Sequence, residues 1–181
     1  IWNYRGKNLM EEHRLLLQDV TEEDFNVVPV AGKISSSERQ WIQVEKARSN
    51  DSTIYVEKEG LQDEMNKWKF PLHFIDFETT MVAIPFHQGR KPYEAIAFQY
   101  SYHLMDEKGN IQHKNQYLNF ERGVFPNYDF LRALKNDLAG VSGTIFRYHD
   151  HENNYLNHLY CQLYAETTTN VPDKQELMSF I

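Results

Sequence analysis

Apolar and polar positions along the chain follow two periods, and the change falls near residue 68. Before it, the pattern is polar and helical. The segment "LMEEHRLLLQDV" sets Leu9, Leu16 and Leu17 near one face, with Leu15 alongside. "SSSERQWIQVEKARS" opens with a serine cap followed by Glu38, a helix-start signature, and carries Trp41, Ile42 and Val44 as a narrow apolar stripe. "EGLQDEMNKW" is a third helix candidate. Residues 1–68 therefore read as a helical arm or linker region, and residues 69–181 as the main domain.

From Phe70 the texture becomes β-rich. "FPLHFIDFET" is a strand candidate, and "YEAIAFQYSYHL" (93–104) is a long aromatic one. "IQHKNQYLNF" (111–120) alternates, after the turn "DEKGN" containing Gly109. The three predict an antiparallel meander. "NYDFLRALKNDLAG" then reads as a helix closed by Gly140, and "GTIFRYH" (143–149) as a fourth strand. "HENNYLNHLYCQLYAE" is a helix with Leu156, Leu159 and Leu163 on one face. The end, "DKQELMSFI", also reads as helical. The order β-β-β-α-β-α predicts a mixed sheet in an α/β architecture.

The first of these strands raises the chemical question. Side chains two apart on a strand share a face, so Asp76 and Glu78 stand together, roughly 7 Å apart along the chain. Leu72 and Phe74 precede them on that face, and Ile75 and Phe77 lie on the other. The strand's first half is thus expected to be apolar on both sides, as for a central strand, with acids only at its C-terminal end. Two close carboxylates raise each other's pKa when buried. A hard divalent cation such as Mg²⁺ or Mn²⁺ removes that cost. An isolated D-x-E is more often a strand end facing water; here the apolar strand and the helix-strand-helix that follow change the weighing.

Composition narrows the class. The 181 residues are 41% hydrophobic and 14% aromatic, enough for a core. The net charge of −7 gives no long-range electrostatic footprint for nucleic acid, although it leaves room for a local basic groove. The single cysteine, Cys161, excludes an internal disulfide and a four-cysteine zinc site. No apolar run reaches membrane-span length, and the N-terminus lacks a signal-peptide layout, so a cytoplasmic protein with no membrane association is expected. The chain is also expected to be a piece of a longer protein.

The pieces "PLHFIDFETTMVAIPFHQGRKPYEAIAFQYSYH", "GVFPNYDF" and "YHDHENNYL" resemble the bacterial family labelled domain of unknown function 2779. "IDFET" also resembles the first motif of DEDD-type 3′–5′ exonucleases, which have a ribonuclease-H-like fold. The resemblance implies such a fold, preceded here by the helical arm, and a divalent-metal-dependent nuclease acting on DNA or RNA. A second metal-holding acid is implied at the helix after the fourth strand. The spacing to Leu156 favours Glu152, where the family pattern has Asp, with Asp150 as the rival. Asp76 would bridge two Mg²⁺ or Mn²⁺ ions, Glu78 would hold the nucleophile-side ion, and Glu152 would hold one directly or through water. One ion would activate water and the other stabilise the leaving oxygen. The remaining acids are implied further along a longer chain, with a neighbouring nuclease domain upstream. This chain alone is expected to be inactive or weakly active. The alternative is a non-catalytic domain of the same fold that binds nucleic acid or a protein.

Other candidates are weaker. Arg90 and Lys91, in "HQGRKPYE", could approach a phosphate backbone or form a solvated basic loop. His149, His151, His158 and Cys161 admit a zinc reading, against which Cys161 reads as a core residue. Phe98, Tyr100 and Tyr102 share a strand face, as core or as a stacking platform for bases. Asp129 is explained by its place at a helix start.

Overall fold

The structure, a computed structural model, describes residues 1, 3–6, 8–167 and 171–181. The chain divides into two units, Ile1–Lys67 and Trp68–Ile181.

The first unit holds α1 (Asn8–Glu11), two 3-10 turns (Leu17–Asp19 and Glu22–Phe25), α2 (Ser36–Arg48) and α3 (Lys58–Met65). The α2 start follows the sequence: Ser35 accepts from the Glu38 backbone N–H at 3.2 Å, and Glu38 accepts from the Ser35 N–H at 2.8 Å. Leu9, Val20, Phe25 and Val44 form a small core, with Trp41 packed against it. The expected helix through "LMEEHRLLLQDV" stops after one turn. His13 takes a left-handed conformation (φ 54°), and Leu15, Leu16 and Leu17 are exposed. Arg14 instead turns to pair with Asp24, and Arg48 donates to the carbonyls of Leu17, Gln18 and Val20. Tertiary hydrogen bonds thus outweigh local helix propensity here.

The second unit is a four-stranded mixed sheet with helices. Its strands are β1 (Leu72–Thr80), β2 (Ile96–Met105), β3 (Ile111–Leu118) and β4 (Thr144–Phe146), in the order β3-β2-β1-β4. β1 pairs antiparallel with β2 and parallel with β4, and β2 pairs antiparallel with β3. The helices are α4 (Asn127–Asp137), α5 (His151–Ala165) and α6 (Lys174–Phe180). The meander and the β-β-β-α-β-α order are therefore present. The fourth strand is shorter than "GTIFRYH" suggested, since only Thr144–Phe146 pair with Leu72–Phe74.

One core joins Ile75 and Phe77 of β1, Tyr100 and Tyr102 of β2, Phe130 and Leu134 of α4, and Leu159 and Leu163 of α5. Phe130 meets Phe77 and Tyr100 edge-on, at centroid distances of 4.9 and 5.4 Å. The expectation of apolar cover on both faces of β1 is corrected: Phe74 is 38% exposed, and Asp76 and Glu78 beyond it are exposed as well. The helices collect on the side where α4 and α5 supply apolar stripes. Cys161 is exposed rather than in the core, because its neighbours Leu159 and Leu163 take the inward positions of α5.

Candidate functional site

Asp76 stands opposite Ser101 of β2, and Glu78 opposite Gln99. Because Ile75 and Phe77 fill the core, the pleat sends both acids to the open face. The register shifts between Glu78 and Thr79, so the strand bends directly after the pair. Phe74 stacks on Phe146 of β4 at 5.2 Å, and the two form one wall of an open depression of about 590 Å³ that also holds Asp76, Ser101, His103 and Tyr148. Two carboxylates on an open face, with hydroxyl and amide partners across the strand, suit a hard divalent cation by donor type.

α5 begins beside the end of β1. The His151 imidazole Nε2 and the Thr79 hydroxyl lie 2.9 Å apart. The two rivals for the second acid differ sharply in surroundings. Asp150 is exposed and pairs with Arg147 at 3.1 Å. Glu152 is only 6% exposed, in the stripe with Tyr155, Leu159 and Leu163, and its Oε2 has no hydrogen-bond partner. A buried oxygen without a donor costs roughly 1–3 kcal/mol, so such an atom calls for a physical reason. The structure brings Asp76 and Glu78 to one face and α5 to their end of the strand. Among the described residues it assembles no group of three or more His, Cys, Asp or Glu able to hold a metal ion. Of the residues in the zinc reading, His151 meets Thr79 and the Tyr155 ring, and His158 lies edge-on to the same ring.

Of the two loop cations, Arg90 is committed within the fold. Its guanidinium lies 3.6 Å over the Phe125 ring and pairs with Glu94 (3.4 Å) and Glu166 (3.9 Å). Lys91 is exposed, and its backbone N–H donates to Glu94 at 3.1 Å. Tyr100 and Tyr102 are core, whereas Phe98 lines a cleft.

That cleft was not read from the sequence. It measures about 720 Å³ and lies beyond the acids, between Thr79 and Thr80, the exposed rings of Phe86 and Phe120, Phe98, and the exposed Arg122. Its size falls in the range of small-ligand sites. His87 is in its wall, with its pKa lowered by burial and then by the nearby Arg90. The only sequence signal was the run "NFERGVF", aromatic residues interleaved with charge in a glycine-containing loop.

His73 was also missed, because it lies within an apolar run. It is 2% exposed, with Nδ1 2.6 Å from the Tyr102 hydroxyl and Nε2 2.9 Å from the Ser142 carbonyl. A carbonyl only accepts, so Nε2 carries the proton and Nδ1 accepts from Tyr102. This histidine ties β1 to β2 and to the segment before β4.

No described helix is long and apolar enough to cross a membrane. No curated protein and no solved structure matches the chain. Residues 73–180 match the family described as Domain of unknown function (DUF2779), a span that runs from the strand bearing Asp76 and Glu78 through α6. The chain belongs to that family.

Proposed function

We propose that the Trp68–Ile181 unit is a nuclease-type domain with a ribonuclease-H-like sheet, hydrolysing phosphodiester bonds of DNA or RNA with Mg²⁺ or Mn²⁺. The observation that carries this reading is the position of the acid pair. Asp76 and Glu78 lie at and beyond the middle of an interior strand, past the Leu72–Phe74 stretch that pairs with β4, and the helix after the fourth strand starts beside Thr79 near the strand's end. The strand order β3-β2-β1-β4, with an antiparallel meander and a parallel fourth strand, supports the fold part of the reading.

Asp76 and Glu78 would hold the cation; Glu152, buried in the first turn of α5, is not grouped with them and would act only through water. A bound divalent cation lowers the pKa of water and offsets charge on the leaving oxygen. Two exposed carboxylates repel a phosphodiester, so the acid face is expected to accept substrate only with the cation present. Ser101 and Gln99, directly across from the acids, are placed to donate to phosphate oxygens. Lys91 and Arg122 are exposed cations available to the phosphate backbone.

The test is a calorimetric Mn²⁺ titration of the chain beside Asp76→Ala and Glu78→Ala, with digestion of a labelled single strand run in parallel. Saturable binding lost in the variants supports the reading. Digestion that survives Asp76→Ala overturns the assignment of the site. A second reading, a non-catalytic binding domain, is favoured by the exposed rings of Phe86 and Phe120 around the cleft. It predicts binding of oligonucleotide or protein that persists without metal and is lost in Phe120→Ala.

A further inference from the structure

The open face carries a second pair of ligating side chains, set by an irregularity in the sheet. Between β2 and β3, Tyr102 is opposite Asn115, but His103 is opposite His113, so the register skips Lys114. Continuous pairing would set His103 against Lys114. The bulge replaces that lysine with an imidazole, and bulges commonly re-aim a side chain in this way. The result is close. His113 Nδ1 and His103 Nε2 lie 3.2 Å apart, with ring centroids at 4.8 Å.

We propose that His103 and His113 form a two-imidazole site for a borderline divalent d-block cation, with Zn²⁺ as the reference ion and water completing its coordination. Two nitrogens bound tetrahedrally at about 2.0–2.1 Å from zinc are about 3.3 Å apart. The pair already has that separation, so cation entry requires rotation of the two rings toward a common point and no parting of the strands. Without the cation, one of the two facing nitrogens donates its proton to the other. Binding needs both lone pairs, so that proton moves to the ring's outward nitrogen, and neutral imidazoles release no net proton. His113 is exposed and His103 is partly so, which leaves the coordination positions open to water.

Imidazole nitrogen selects zinc, copper or nickel over magnesium, so this site differs in metal preference from the Asp76–Glu78 pair. The surrounding face contains Phe74 directly across β1 from His103, Ser101 and Gln116 one step along, and Asp76 as the nearest charged group on β1. A cation there would clip the edge strand β3 to β2. The inference does not depend on the nuclease reading.

The test is a Zn²⁺ titration of the 181-residue chain, above the ordinary imidazole range, beside His113→Ala, His103→Ala and Asp76→Ala. Removing even an outer hydrogen-bond partner of a metal ligand costs roughly 10–100-fold in affinity, so removing one of the two ligands is expected to weaken binding at least about tenfold. Asp76→Ala is expected to retain it. His113 makes no core contact, so its variant keeps the fold, which circular dichroism checks. Cu²⁺ as a spectroscopic probe should report coupling to two nitrogens that falls to at most one in His113→Ala. Absence of saturable Zn²⁺ binding by the unsubstituted chain overturns the proposal, as does binding unchanged in both histidine variants. Loss of Mn²⁺ binding in Asp76→Ala with Zn²⁺ binding intact would separate this site from the acid pair.

Discussion

Asn127 at the start of α4 should be among the most sensitive polar positions of the second unit. It is fully buried, and its side chain joins three elements. Its Oδ1 accepts from the Ala97 N–H at 2.9 Å; its Nδ2 donates to the Ala95 carbonyl at 2.9 Å and to Gln162 Oε1 at 2.6 Å. Gln162 of α5 also donates to the Ala95 carbonyl at 2.8 Å, so that oxygen keeps one partner if Asn127 is removed. The Ala97 N–H loses its side-chain acceptor. Asn127→Ala therefore leaves a buried donor at roughly 1–3 kcal/mol and a void at about 1 kcal/mol, together about 2–4 kcal/mol. That is a large share of the roughly 5–15 kcal/mol typical of a domain. With a urea dependence of about 2 kcal/mol per molar, the midpoint should fall by about 1–2 M. Asn127→Asp keeps the acceptor for Ala97 but sets a carboxylate oxygen against two acceptors, so it should be no better tolerated. Ala97 is opposite Thr79, next to Glu78, so the same variant should weaken Mn²⁺ binding if the acids form a site. A midpoint shift under about 0.3 M with an unchanged slope would refute the reasoning.

Gly143 has φ 113°, and a Cβ there would come within 2.1 Å of the Pro71 carbonyl oxygen; Gly143→Ala should cost roughly 1–3 kcal/mol, read as a lower melting temperature. Tyr102→Phe removes the donor to buried His73 and should cost roughly 1–3 kcal/mol in denaturant titration. Arg90→Ala frees the β1–β2 loop from Phe125 and should raise amide exchange over residues 86–94, and Arg90→Lys should restore little of the lost protection. In the first unit, the Arg14 guanidinium holds the Asp24 carboxyl down to about 2. A depressed folded-state pKa stabilises fully above the usual carboxylate value near 3.8, and the contribution disappears as pH falls through about 2. Acid titration of the Trp41 fluorescence should show this, and Arg14→Met should remove it.

The legible parts of the fold were those governed by near neighbours in sequence. Ser35 and Glu38 meet because three residues of helix bring them together. β1, β2 and β3 were visible through their β-branched and aromatic runs, and the shared face of Asp76 and Glu78 follows from the pleat. The break in the expected helix after Glu11 was not legible, because the Arg14–Asp24 pair that accompanies the left-handed His13 joins residues ten apart. The start of α5 beside Thr79 was not legible, since nothing local brings α5 to β1.

The sequence alone determined the acid pair, the strand that carries it and the helix that follows the fourth strand. Each depends on a backbone period of two or about 3.6 residues, which residues a few positions apart establish. Tertiary structure decided which face of β1 stays open, that Glu152 is buried while Asp150 meets Arg147, and that Arg90 belongs to Phe125 and Glu166. It also decided that a bulge sets His113 opposite His103. These depend on how strands register and which stripes compete for one core, energies summed over distant contacts that no local pattern encodes.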